Sequence, residues 1–213
     1  MSSENKIGVM QGRLLPKYND RFQAHPLGYW QEEFPLAQKL GLDCIEFILD
    51  FNDIDLNPLM NEEGLKEIKE LVNQTNISVD TICADYFMEA PLHSSNKLIS
   101  NKSLDILNLL IKNAVLLNVN DIVIPCVDHS SLSGNKSIDR FIHILKTVIP
   151  VIEANNINLS LETGLVPKEL KFAKVIPVFK NGDKHFIVLL VFCASSTELT
   201  HHTNMLSSAQ SFC

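Results

Sequence analysis

An α/β fold, a partial (β/α)8 TIM barrel of about five βα units with an irregular or hairpin C-terminal tail, follows from three features of this 213-residue sequence. Short apolar runs of strand length alternate strictly with amphipathic stretches of helical period, and no composition break interrupts them before residue 165. Each unit takes roughly 30–40 residues, the repeat of an eight-unit barrel of about 250 residues. The strand-like runs end in polar or charged residues, which a parallel sheet gathers at its carboxyl edge. A doubly wound open sheet is the alternative; it favours a glycine-rich phosphate turn after the first strand, where this chain has only Gly12.

The first strand, Lys6–Met10, opens into Gln11-Gly12-Arg13. Trp30, Phe34, Ala37 and Leu40 then recur at helical spacing, and Gly41 closes that helix. Cys44–Ile48 reads as strand two and leads into a loop rich in Asp and Asn that ends near Pro58. Leu65, Ile68, Leu71 and Val72 form one face of a second helix, and Ser78–Cys83 is strand three, exiting at Asp85. A third helix over 103–117 is apolar at Leu104, Leu107, Leu110, Ile111, Ala114 and Val115. Asp121–Cys126 is a continuous apolar run of the kind buried on both faces of a parallel sheet. The helix over 137–155 buries Ile138, Phe141, Ile142, Leu145, Val148 and Ile152. Ile157–Gly164 then alternates apolar and polar residues and delivers Glu162 to a strand tip. Roughly 50 residues remain, enough for about one and a half further units, so the barrel is incomplete.

Composition narrows the function. Twenty-five acidic against 18 basic residues give a formal net charge of -7, the wrong sign for phosphate-backbone binding, so nucleic acid is not an expected partner. The N-terminus lacks an apolar signal region and the longest apolar run, Phe186–Ala194, is too short to span a bilayer. No membrane association and a cytoplasmic location are the expectation. Five cysteines without C-x-x-C spacing indicate neither a disulfide framework nor a zinc knuckle, and Cys44, Cys83 and Cys126 read as small core residues.

Parallel strands would bring Gln11, Arg13, Glu46, Asp85, Asp128, His129 and Glu162 to one face. At this point Ile7-Gly8-Val9-Met10, Leu40-Gly41-Leu42-Asp43-Cys44-Ile45-Glu46, the third strand with Asp85, and Leu159-Ser160-Leu161-Glu162-Thr163 resemble the first five strands of the xylose-isomerase-like TIM barrels. That group includes sugar-phosphate isomerases and epimerases, ketose 3-epimerases and hydroxypyruvate isomerase. The resemblance covers residue 6 to about residue 167. It implies a sugar isomerase or epimerase, a small-molecule sugar or sugar phosphate as substrate, and a divalent metal, Mn or Mg, with Zn a further option.

In the ketose-epimerase branch the glutamate ending strand five binds the metal and exchanges a proton with the sugar carbon, and Glu162 is the matching position. A metal polarises the carbonyl, which acidifies the neighbouring C–H, and a carboxylate collects the proton. The family pattern also takes an Asp, a His and a second Glu from later strands, which this chain does not place. The alternatives are therefore a catalytically inactive truncated or chimeric barrel fragment, or a non-enzymatic half-barrel partner.

Arg13 reads as a contact to a sugar hydroxyl or phosphate, or as a solvated loop residue. Glu46 and Asp85 read as substrate contacts, and His129 as a ligand or substrate contact or simply as part of an Asp-His-Ser-Ser turn. His25, His93 and His143 have no ligand spacing and are read as surface or helix residues.

Two domains are expected: a partial barrel at 1–167 and an unrelated tail at 168–213. Lys171–His185 resembles a short stretch near the start of the reverse-transcriptase region of non-LTR retrotransposons, which implies a mobile-element origin without polymerase residues. The same stretch supports a hairpin, Val175–Phe179 with Phe186–Phe192, turned at Asn181-Gly182. Barrel edges left without partners would drive aggregation or a homodimer unless the tail covers them.

Overall fold

A computed structural model describes residues 6–21 and 23–163, together with the backbone of two further strands, Lys174–Val178 and Ile187–Phe192. The fold is α/β, a partial TIM barrel. Strands β1 (Gly8–Met10), β2 (Cys44–Ile48), β3 (Ser78–Cys83), β4 (Asp121–Cys126) and β5 (Asn158–Thr163) lie side by side in chain order, every pair parallel. Helices α1 (Glu33–Lys39), α2 (Glu62–Thr75), α3 (Tyr86–Glu89), α4 (Lys97–Leu117) and α5 (Asn135–Asn155) fill the connections.

Strand alternation splits the sheet into two unlike faces. Ile45, Phe47, Ile82, Ile122, Ile124, Leu159 and Leu161 point to one side and are buried, forming a single core with Phe34, Ile68, Leu107, Leu110, Phe141 and Leu145 of the helices. The other face carries Met10, Glu46, Thr81, Asp121 and Asn158 in register across all five strands. Above that row stand Ile48, Cys83, Val123 and Ser160, and above those Pro125 and Glu162. The apolar face holds the sheet to its helices, while the polar face is left for chemistry.

The turns from helix back to strand repeat one solution. Each of α2, α4 and α5 ends on an asparagine in the left-handed region, Asn76, Asn118 and Asn156, at φ 59°, 58° and 55°. Asparagine is, after glycine, the residue that tolerates this conformation. Gly41, φ 72°, serves the same purpose after α1. The next residue is apolar each time, and Leu42, Val119 and Ile157 each return an N–H to a carbonyl five residues back, at 3.0–3.1 Å, which closes the last turn. Helix α4 starts at Lys97 rather than near 103: Asn96 Oδ1 caps the Leu98 N–H, but Leu98 and Ile99 face outward at 82% and 37% exposure, and so fall outside the apolar stripe.

Strands β6 (Lys174–Val178) and β7 (Ile187–Phe192) pair antiparallel, agreeing with the hairpin expected there; its Asn181-Gly182 turn lies outside the described residues. Strand β7 pairs antiparallel with β5, so the order runs β1-β2-β3-β4-β5-β7-β6. The edge of β5 expected to stand open is therefore covered by the chain's own tail. β6 ends the sheet and contains Pro177, a residue that an outermost strand tolerates because one of its sides needs no N–H. Among the described residues no helix is long and apolar enough to cross a membrane.

Candidate active site at the strand tips

Glu162 occupies the next-to-last position of β5, half-buried on the polar face opposite Pro125, with Leu161 and Thr163 turned into the core on either side. The alternation read in the sequence is what aims it. Asp85 lies two residues beyond the end of β3; its carboxylate accepts from Cys83 Sγ at 3.1 Å and from Gln23 Nε2 at 3.3 Å. Glu46 lies on the same face but in the middle of β2, not at its end as expected. The strand runs on because Phe47 and Ile48 are both wholly buried, and the acid at the actual tip is Asp50.

Cys83, which donates to Asp85, lies on the same face as Glu46 and Glu162. Burial pushes its thiol well above the usual range, and the negative charges of Asp85, Glu46 and Glu162 push it the same way. Cys126, the last residue of β4, is pushed up to about 12, chiefly by burial and then by Glu162. Both environments favour the neutral thiol over the thiolate. Cys83 and Cys126 are buried as expected, whereas Cys44 is half-buried.

Arg13 and His129 stand apart from this arrangement. Arg13 is exposed in the turn after β1, its side chain without a hydrogen bond among the described residues. His129 is exposed in a 3-10 turn, Asp128–Ser130, which Ser130 Oγ fastens to the carbonyls of Pro125 and Val127 at 2.9 and 2.8 Å. The turn chemistry of Asp-His-Ser-Ser is what that segment shows.

The loop from β1 to α1 does more than the sequence suggested. Glu33, fully buried, accepts from the N–H groups of Gly12 at 2.7 Å and Leu14 at 3.0 Å, pinning the loop's start to α1. Burial raises the pKa of this carboxyl, and those backbone donors partly offset the rise. Asp50 fastens the loop's far end, accepting from Arg21 Nη1 at 3.2 Å and from the His25 N–H at 2.7 Å.

His25 and His93 correct the expectation of surface or helix positions: both lie in loops, at 4% and 7% exposure. The imidazole of His25 sits against Trp30 and Phe47, centroids 6.0 and 5.6 Å away, and that of His93 against Phe141 at 5.8 Å. Aromatic neighbours exclude water, so burial brings His25 down to about 4 and lowers His93 as well, with the charge of Arg140 adding to the fall at His93. His143 is exposed on α5, as expected.

The family model for the xylose isomerase-like TIM barrel matches residues 34–173, more than half of the chain, and the chain belongs to that family. No curated protein matches it. Among solved structures it is similar to D-psicose 3-epimerase from Clostridium cellulolyticum H10, crystallised with D-tagatose, at TM-score 0.56 and 17% identity over 73% of this chain and 51% of that one. It is similar also to 3-keto-D-glucoside 4-epimerase from E. coli, at TM-score 0.55 and 15% identity over 75% and 56%. The IOLI protein, whose structure holds a zinc atom, gives TM-score 0.54 and 14% identity over 75% and 51%. The chain thus spans about half the length of these proteins. Among the described residues no three His, Cys, Asp or Glu side chains are grouped closely enough to hold an ion.

Proposed function

We propose that this chain carries the proton-transfer half of a sugar isomerase or epimerase site, with Glu162 exchanging a proton at the carbon beside a ketose carbonyl and Glu46 and Asp85 meeting sugar hydroxyls. The observation that carries this reading is that Glu46 and Glu162 share the polar face of the sheet, with Asp85 just beyond the end of β3. Membership of the xylose isomerase-like family supports it, as do solved neighbours that are sugar epimerases. A carboxylate positioned at a rigid strand end suits general acid–base work, because its geometry survives variation in the loops. No step is assigned to a metal, since the described donors do not form a site for one. The setting proposed is the cytoplasm, with a free or phosphorylated sugar as the small-molecule partner.

A second reading has its own support. It is that of a catalytically inactive barrel fragment, to which the described residues offer no group of three metal-binding side chains as a counter-argument. Incubation with D-fructose in D2O, with and without Mn2+, separates the two by NMR. Deuterium should enter beside the carbonyl in the wild type, and Glu162→Gln should slow this by about 100-fold or more, the usual worth of a general base. A folded wild-type chain that exchanges nothing under either condition leaves only the fragment reading.

A further inference from the structure

The two ends of the sheet differ. At one, β6 carries Pro177, which has no N–H to offer a further strand. At the other, β1 pairs only with β2 among the described strands. Ile7 O accepts from the Asp43 N–H at 2.8 Å and the Gln11 N–H donates to Glu46 O at 2.9 Å, so the odd-numbered residues of β1 face β2. Gly8 and Met10 therefore turn their N–H and C=O groups outward, and among the described residues only the Met10 carbonyl meets a partner, the Arg13 N–H at 3.3 Å. An apolar flank runs beside this edge. Gln38 Nε2 donates to the Thr75 carbonyl of α2 at 2.9 Å and marks the side of α1 turned to α2. Leu36 and Leu40 lie on the opposite side, at 37% and 62% exposure. Ile7, 64% exposed, shares the helix-covered face with Val9 by strand alternation. Three exposed apolar side chains thus border an unpaired strand, the pattern of a sheet that another chain continues.

We propose that the β1 edge is a docking surface for a second copy of this chain, with the two β1 strands antiparallel across a two-fold axis and the α1 helices side by side over the join. The open groups set the register: Gly8 opposite the partner's Met10 exchanges N–H and C=O bonds in both directions, and the axis repeats the pair. Charge agrees with this direction. Among the described residues the start of β1 gathers Asp43 and Asp80 around the single cation Lys6, whose Nζ bonds Asp80 at 2.7 Å. The far end holds Arg13, exposed and without a side-chain hydrogen bond among the described residues. Antiparallel pairing sets each cationic end beside the other copy's acidic one. A complementary half-barrel is the poorer occupant, because closing a barrel takes both edges and the tail hairpin covers that of β5. A head-to-tail contact of β1 with β6 meets Pro177 and does not close. The two-fold contact uses one edge twice and ends there. It stands whether or not Glu162 moves a proton.

Sedimentation and two amide protons decide it. The full chain should sediment with the mass of two chains and dissociate on dilution, and hydrogen exchange at the Gly8 and Met10 amides should slow as the dimer forms. Leu40→Glu, at a side chain already exposed in one chain, should raise the dissociation constant about tenfold or more and leave the monomer's unfolding midpoint unchanged. Met10→Pro, which removes an outward N–H, should weaken association in the same way, and Leu40→Glu serves alone if that variant does not fold. Arg13→Glu and added salt should each weaken the dimer. Leu109→Glu, exposed on α4, is the control and should leave it intact. A monomer at every concentration overturns the proposal. So does a dimer whose Gly8 and Met10 amides exchange freely, or one lost in Leu109→Glu and kept in Leu40→Glu. Slow exchange of those amides in a monomer would mean that the chain's own residues cover the edge, and growth beyond two chains would mean the head-to-tail contact; either result overturns it too.

Discussion

Replacing Gly64 with alanine should destabilise the chain by about 2–4 kcal/mol, against the roughly 1 kcal/mol gain that helix propensity alone assigns to the change. Gly64 lies in the first turn of α2, buried, its N–H capped by Asn61 Oδ1 at 2.8 Å. A Cβ there would fall on the Cα, Cβ and carbonyl oxygen of Pro58, which belongs to the 3-10 turn Pro58–Met60 and is held by ring and turn alike. Relief requires that turn to move. Its neighbour Asn57 donates Nδ2 to the Ile48 carbonyl at 2.9 Å and accepts from the Leu59 N–H at 3.0 Å, so displacing it disturbs the tip of β2. Urea unfolding reads the loss, with the exposed neighbour substitution Glu63→Ala as a control expected to change stability little. A Gly64→Ala chain as stable as the wild type would show that the turn slides at no penalty.

The strands and long helices were legible because each carries a simple period. Leu159 and Leu161, with Ser160 between them and Glu162 after, announce which face of β5 packs against the helices, and the structure sets the leucines on that face and Ser160 and Glu162 on the other. Glu46 shows the limit of the same reading: an acid within an apolar run looks like a strand end, yet inward-facing polar positions in a strand produce the same pattern. Glu33 and His25 show another. Glu33 is three residues after Trp30 and four before Ala37, inside the apolar stripe of its helix, which is a signal that it is buried and bonded. His25 gives no periodic signal, because its burial comes from a loop folding back onto Trp30 and Phe47, a contact that is not local in sequence. The acids' shared face with Cys83 was half visible. Strand-tip acids suggested a shared face, but the thiol on it read only as core.

Asp121→Asn should stabilise the chain at pH 7 by about 2–3 kcal/mol, raising the unfolding midpoint by about 4–8 °C, and should have no such effect near pH 4. Asp121 begins β4 on the polar face, beside Thr81 of β3 and Asn158 of β5; Ser160 donates to its Oδ2 at 2.8 Å, while Oδ1 is buried without a partner. Burial raises its pKa from 3.8 to about 6, with the Ser160 bond opposing the rise. The folded state therefore prefers the protonated acid. That stabilisation is complete below the unfolded value and is lost as pH rises through about 6, leaving a charge penalty at neutrality that the amide removes. The raised carboxyl of Glu33 acts in the same sense. His25 acts in the opposite one: its folded value of about 4 lies below the ordinary 6.5, so its contribution is complete above 6.5 and disappears as pH falls to about 4, again about 3 kcal/mol. His93, also lowered, adds to it. Between about pH 4 and 6 the acids and the histidines nearly cancel, and the wild-type chain should show a shallow stability profile despite two strongly shifted groups. Removing Asp121 lifts one side of the balance, so the variant's stability should climb with pH across that interval. Parallel profiles for the two chains would mean that Asp121 titrates as an ordinary solvated carboxylate.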